Sequence, residues 1–246
     1  MGIAKAVKRA GRATNEGTIA AYVAESGKAG ALLELSCETD FVGTNPKFTA
    51  FAHDLARVVC ESDPSDVEAL KGCAMGKATV ADALTEMIHV IGENMKIVRF
   101  QRVSVENGAL SSYVHLGGKL ADIVMFSFSN AATAERDEFK TFAHDVAMQV
   151  AASAPVAAKR EDVPAQTIER EKAIYLAQAT DSGRPEAIWE TIANGKLEKF
   201  YKQIVLTEQV FIKDSSLTIF ELAKRTSDAC DDTIGIEGFV RFSFGE

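Results

Sequence analysis

Apolar residues along the chain fall into two rhythms, and the rhythms come in the same order twice. Residues 18–25 and 31–37 are short apolar-rich segments, and in the second Leu33, Leu35 and Cys37, at every second position, share one face. This predicts two strands joined by a turn at 26–30. From Phe48 onward the spacing changes. Phe48, Phe51, Ala52, Leu55 and Val59 stand three or four apart, one stripe of an amphipathic helix, and Pro46 sits where a first-turn proline belongs. A helix over 80–91, the turn Gly92-Glu93-Asn94 and a strand over 96–103 complete the unit.

The unit then begins again. Residues 17–64 recur at 108–155, 91 positions later and without a gap, with identities that include Gly17/Gly108, Tyr22/Tyr113, Gly27/Gly118, Lys28/Lys119, Phe48/Phe139, Phe51/Phe142 and His53/His144. Strands over 110–116 and 122–128 put Val124, Phe126 and Phe128 on the matching face, and Phe139, Phe142, Ala143, Val146 and Val150 repeat the helical stripe. A repeat this long implies two copies of one structural unit rather than a short-period solenoid. A helix over 217–229 and a strand over 239–244 close the second copy. Matching Val98-Arg99-Phe100 to Val240-Arg241-Phe242 sets an offset of 142, hence a net insertion of 51 residues within 156–215.

The insertion reads as an antiparallel helical hairpin. Its first helix, over 163–180, has a seam of Ala165, Ile168, Lys172, Tyr175 and Ala179; a turn follows at 181–185. The second helix carries Ile188, Trp189 and Ile192, an interruption at Asn194-Gly195, then Leu197, Phe200, Tyr201 and Ile204. The expected fold is α+β: a tandem of two similar subdomains, each a small antiparallel sheet backed by helices, with a coiled-coil arm inserted in the second. The expected boundaries are 1–16 for a basic helix or linker with Lys5, Lys8, Arg9 and Arg12, 17–106 for the first subdomain, 107–155 with 216–246 for the second, and 156–215 for the arm.

Composition narrows the chemistry. The net charge of −8 weighs against nucleic-acid binding, because neutralising phosphates takes clustered Lys and Arg. No run approaches the 18 apolar residues of a membrane-spanning helix, and the first residues lack the apolar stretch of a secretory signal. Cys37, Cys60, Cys73 and Cys230 show neither CxxC spacing nor a His at ligand spacing, so they read as reduced thiols of a cytosolic or organelle-matrix protein. Phosphate-loop, dinucleotide, zinc-protease and nucleophile-elbow motifs are absent from the sequence. The expectation is therefore no catalytic residues, no metal and no cofactor. His53 and His144 share a repeat position, which points to a structural role through a side-chain hydrogen bond, while Lys28 and Lys119 belong to the turns.

The copies differ most in chemistry at one loop. Glu38-Thr39-Asp40-Phe41-Val42 in the first is matched by the bland Ser129-Asn130-Ala131-Ala132-Thr133 in the second. Phe41 has two readings: a cap folded onto its own subdomain, or an exposed anchor with Asp40 beside it, a mixture common in protein-binding hot spots. Ala131 and Ala132 hold the equivalent place without bulk, which favours the anchor.

Residues 34–42 (ELSCETDFV), with the helix behind them, resemble the signature of the elongation factor Ts family, guanine-nucleotide exchange factors for the translational GTPase elongation factor Tu. The resemblance continues in order through 91–99 (IGENMKIVR), 148–153 (MQVAAS), 183–186 (GRPE), 195–201 (GKLEKFY) and 238–242 (GFVRF). It implies that Thr39, Asp40, Phe41 and Val42 enter the GTPase near its magnesium and phosphate site. It also implies that the arm, through Trp189, Lys196, Phe200 and Tyr201, reaches another face of the GTPase or makes a homodimer. The implied partner is elongation factor Tu in GDP-bound and nucleotide-free forms, with no direct nucleic acid and no membrane. Members of that family usually carry a ubiquitin-associated-like module ahead of this core, and the present chain begins at what resembles the linker after it. Two other readings stay open: a GTPase-binding scaffold without exchange activity, and a small-molecule enzyme using the cleft between the subdomains.

Overall fold

A computed structural model of the protein describes Arg9 and residues 11–246. Residues 1–8 and 10 of the basic helix or linker expected over 1–16 lie outside the described residues. Within them, the Arg9 guanidinium donates to the Ile88 carbonyl at 2.9 Å.

The first copy runs through β1 (Glu16–Val23), β2 (Ala29–Cys37), the single-turn helix α1 (Asp40–Gly43), α2 (Pro46–Ser62), α3 (Val67–Gly72), a ribbon of β3 (Ala74–Met75) and β4 (Ala78–Thr79), α4 (Val80–Ile91) and β5 (Met95–Ser104). The second repeats the plan with β6 (Gly108–His115), β7 (Leu120–Ser127), a 3₁₀ turn (Ala131–Glu135) and α5 (Asp137–Ser153). The arm helices α6 (Ala165–Thr180) and α7 (Trp189–Ile204) follow. The copy closes with a ribbon of β8 (Val210–Phe211) and β9 (Asp214–Thr218), then α8 (Ile219–Cys230) and β10 (Gly235–Ser243). Each copy builds a three-stranded antiparallel sheet, ordered β1-β2-β5 and β10-β7-β6. The fold is α+β, with small antiparallel sheets backed by helices.

Local chemistry explains why equivalent elements start and stop together. Helices α2 and α5 are each 17 residues long, and both end on a left-handed residue, Asp63 or Ala154. Helices α4 and α8 are each 12 residues long and both open with a capping box, Thr79 with Asp82 and Thr218 with Glu221. Their starts, 80 and 219, set an offset of 139. The closing strands agree, since Phe100 pairs with Leu33 as Phe239 pairs with Val124, and the ladder skips one residue in both copies, Val98 or Glu237. The match of Val98-Arg99-Phe100 to Val240-Arg241-Phe242 is therefore three positions out of register. The net insertion is 48 residues, the difference between offsets of 139 and 91.

Leu33, Leu35 and Cys37 face α2 and α4 as the alternation predicts, and Val124, Phe126 and Phe128 face α5 and α8. The opposite faces of the two sheets are not solvated. Ile19, Leu32 and Val103 of one sheet meet Leu110, Ile123 and Phe242 of the other in a separate apolar layer. These six are three repeat-equivalent pairs, so the copies pack as a two-fold dimer does, each offering the same patch. The backbone repeats the symmetry. The Ile19 N–H donates to the Gly118 carbonyl at 2.7 Å, and the Leu110 N–H donates to the Gly27 carbonyl at 2.8 Å. The middle of the face between the copies is filled with side chains, and a cleft remains at its edge, lined by Glu34, Ser36 and Ile97 of one copy and Phe244 of the other.

The two repeat-equivalent histidines take a role other than the one expected. His53 sets its ring edge against Tyr22 at 5.5 Å, and His144 does the same to Tyr113 at 5.8 Å. A ring-edge contact thus links each helix to its hairpin at the expected hydrogen bond's place. Asp122, opposite Arg241 in the ladder, is fully buried with both carboxylate oxygens unpartnered, and burial pushes its carboxyl up to about 8. The first copy has Ala31 at this place.

The arm is an antiparallel hairpin as expected, with three differences. Ala165, expected in the seam, is exposed at the first position of α6. Glu171, rather than Lys172, joins Ile168, Tyr175 and Ala179 on the covered side, because steps of three, four and four keep the stripe in phase with a straight helix. Helix α7 also runs through Asn194-Gly195 without a break. Asn194 and Gly195 are exposed while the neighbouring Ala193 is fully buried, and packing of the covered side outweighs a glycine penalty of about 1 kcal/mol.

Candidate functional site

Strand β2 ends at Cys37, and the chain must then turn from the sheet to α2. Thr39 caps the single-turn α1, its hydroxyl accepting the Val42 N–H at 3.4 Å, and Asn45 caps α2 by accepting the Lys47 N–H at 2.9 Å. Successive residues of a helical turn point about 100° apart. Val42 turns inward and joins the core of the first copy, so Phe41 turns out, 84% exposed. Asp40 is exposed beside it and accepts the Phe41 N–H at 2.9 Å.

An exposed phenyl ring on a short loop is useful only if the loop is held. Here the segment after α4 holds it. Gly92 ends that helix in the left-handed region, and Glu93 then aims its carboxylate at the loop. It accepts the Glu38 N–H at 3.1 Å, the Thr39 N–H at 3.0 Å and the Thr39 hydroxyl at 2.6 Å. Glu38 answers by accepting the Asn94 N–H at 2.6 Å and lies 3.4 Å from Arg12. The buried Cys37 thiol donates to the Thr39 carbonyl at 3.2 Å, and burial, with Glu93 nearby, pushes it up to about 12, which favours the protonated donor.

The second copy carries the same latch without the knob. Asp232, 139 positions after Glu93, accepts the Ser129 N–H at 3.1 Å, the Asn130 N–H at 3.0 Å and the Thr133 hydroxyl at 2.6 Å. These bonds, the Thr133 hydroxyl first, hold its carboxyl at about 2. Thr133 is buried where Val42 is, and Ala131 and Ala132 are exposed where Asp40 and Phe41 are. The latch belongs to the fold; the phenyl ring does not.

Helices α2 and α4 leave a groove lined by Phe51, Met75, Ala83 and Met87 together with Lys47, Asp54, Glu86 and the exposed Val90. A larger concavity of about 640 Å³ lies between the arm's root and α8, under Lys159, Phe220 and Ile234. Among the described residues no cluster of three or more His, Cys, Asp or Glu side chains could hold a metal ion. No helix there is long and apolar enough to cross a membrane.

The arm residues singled out in the sequence lie some distance along the chain from this loop and are engaged within the hairpin. The Trp189 indole donates to the Arg184 carbonyl at 2.9 Å, Lys196 donates to Gln178 at 2.6 Å, Phe200 is half-buried, and Tyr201 lies under the Arg160 guanidinium at 4.4 Å. Within the hairpin, between 165 and 204, the exposed large apolar side chains are Ile174, Leu176 and Ile188. The sequence reading missed Glu93 as a loop-holding residue; its counterpart Asp232, at the same place after the matching helix, was the signal available.

The family model for elongation factor Ts matches residues 38–246. Three relatives, each named elongation factor Ts, align over the whole of this chain and 80% of their own length. They come from Trichlorobacter lovleyi (41% identical over 248 residues), Clostridium botulinum strain Alaska E43 (39% over 246) and Clostridium perfringens strain SM101 (40% over 246). Identity at this level along the full chain leaves one conclusion: the protein belongs to the elongation factor Ts family.

Proposed function

We propose that this protein is a guanine-nucleotide exchange factor that speeds GDP release from elongation factor Tu during translation elongation in the cytoplasm. The observation that carries the reading is the outward, latched Phe41, present in one copy and replaced by Ala132 in its twin. In such a GTPase, GDP is held by a phosphate-cradling loop and a magnesium ion. Phe41 wedges beside that site while Asp40 draws neighbouring polar groups out of place, so the metal loses its coordination geometry. Thr39 and Val42 hold the wedge from behind.

The energetics are those of linkage. A factor that weakens GDP binding by some ratio is itself bound more weakly by the same ratio when GDP is present. Exchange then needs no bond-making chemistry, and an excess of GTP sets its direction. The latch matters because a loop already in its binding shape loses little conformational freedom on docking. A scaffold without exchange activity would bind the GTPase equally with and without GDP. Titrating the protein into nucleotide-free and GDP-saturated elongation factor Tu separates the two: strong weakening by GDP supports exchange, and equal affinity rejects it.

A further inference from the structure

Whatever fixes the direction of the arm is gathered in a short root. The outgoing and returning segments pair in parallel, with the Leu206 N–H donating to the Ala157 carbonyl at 2.9 Å and the Val156 N–H to the Ile204 carbonyl at 2.8 Å. Ala157, Val163 and Val205 form a small apolar cluster there, with Ile168, Tyr201 and Ile204 against it. One side chain ties these parts together. Arg160, on the outgoing segment, donates to both oxygens of Glu198 at 3.0 and 2.7 Å, donates through Nη2 to Glu208 at 2.8 Å, and bonds Glu208 again through Nε. Its flat face covers Tyr201 at 4.4 Å. Glu198 and Tyr201 lie three apart on α7 and so share one face of that helix, whereas Glu208 belongs to the turn that rejoins the second copy.

We infer that Arg160 is a positioning residue that sets the angle between the arm and the two-sheet core, so that arm and Phe41 finger meet a partner as one rigid surface. The lever is long. A helix of 16 residues spans about 24 Å, so a wobble of roughly 20° at the root moves the far end by about 8 Å. Isolated exposed ion pairs hold little. A planar fork that binds two carboxylates and stacks on a ring is a different case, and lysine cannot reproduce it. The mobility part of the inference stands alone; its consequence for exchange rests on the function proposed above.

The chain's one tryptophan, Trp189, begins α7 at the far end of the arm and serves as a built-in probe. Time-resolved anisotropy of Trp189 is measured in the wild type, Arg160→Met and Arg160→Lys, with Glu198→Gln as an exposed-site variant that removes one carboxylate without touching the apolar cluster. The expected result is slow whole-molecule rotation in the wild type and an added nanosecond component in all three variants, smallest in Glu198→Gln. An unchanged decay in Arg160→Met and Glu198→Gln overturns the inference. In the exchange assay Arg160→Met should raise the factor concentration needed for half-maximal GDP release several-fold while leaving the saturating rate near wild type; a fall in the saturating rate alone also counts against positioning. If the anisotropy changes but neither Arg160→Met nor Phe41→Ala affects GDP release, the positioning role stands and the exchange function falls.

Discussion

The Glu93 carboxylate takes the Thr39 hydroxyl at 2.6 Å and the Thr39 N–H at 3.0 Å, across 54 positions of sequence. One acidic side chain after α4 therefore fixes the shape of a loop after β2, and through it the direction of the Phe41 ring. Asp232 does the same for the sister loop. The account of function depends on this separation: a shared device sets the loop, and a residue private to one copy makes it a finger.

Glu93→Ala should loosen the loop. Each hydrogen bond to a charged acceptor contributes about 1.5–3 kcal/mol, partly replaced by water once the loop opens. We expect a loss of about 2 kcal/mol in urea unfolding and faster amide exchange at Glu38 and Thr39, with α5 unaffected. Glu93→Gln should recover part of both, because its amide oxygen still accepts.

Two equivalent glycines should respond differently to the same change. Gly27 and Gly118 both occupy the left-handed region, at φ of +67° and +94°. A methyl group at Gly27 meets open space, but at Gly118 it collides with the Thr18 side chain in the packed face between the copies. Gly27→Ala should cost about 1 kcal/mol from backbone strain alone. Gly118→Ala should cost at least 2 kcal/mol more, measured by chemical denaturation.

Asp122 sets a pH dependence. Its carboxyl is raised from 3.8 to about 8 by burial, so the folded protein binds this proton more tightly than the unfolded chain does. Its favourable contribution is therefore full below about pH 4 and fades as pH rises toward 8. Asp122→Asn removes the titration while keeping the volume. The melting temperature of the variant relative to wild type should rise by a few degrees between pH 5 and pH 8; a constant difference would mean that Arg241 compensates the charge.

Much of this arrangement was legible because it is local. The capping residues Thr79 and Gly92 bound α4 at the predicted positions, and the Phe48 stripe located α2. The outward Phe41 followed from comparing two loops. What escaped is non-local or turns on register. Leu32 and Ile123 sit in unbroken apolar runs, the mark of strands covered on both faces, but one-face alternation assigned them no partner. The skipped residues Val98 and Glu237 shift the closing strands, so a three-residue likeness aligned the wrong positions. Glu93 looks like a solvated turn residue until its acceptors are seen. On the arm, the bonds that Trp189 and Lys196 make within the hairpin, to Arg184 and Gln178, join residues that a one-dimensional reading does not bring together.

The most direct test is release of fluorescent GDP from elongation factor Tu, followed with wild type, Phe41→Ala and Asp40→Ala at matched concentrations, alongside their melting curves. Since Phe41 is exposed and its twin is alanine, stability should stay within about 0.5 kcal/mol. Loss of a central anchor of about 2 kcal/mol or more should slow factor-stimulated release at least tenfold in Phe41→Ala. Release at the wild-type rate by a folded Phe41→Ala protein would contradict the account.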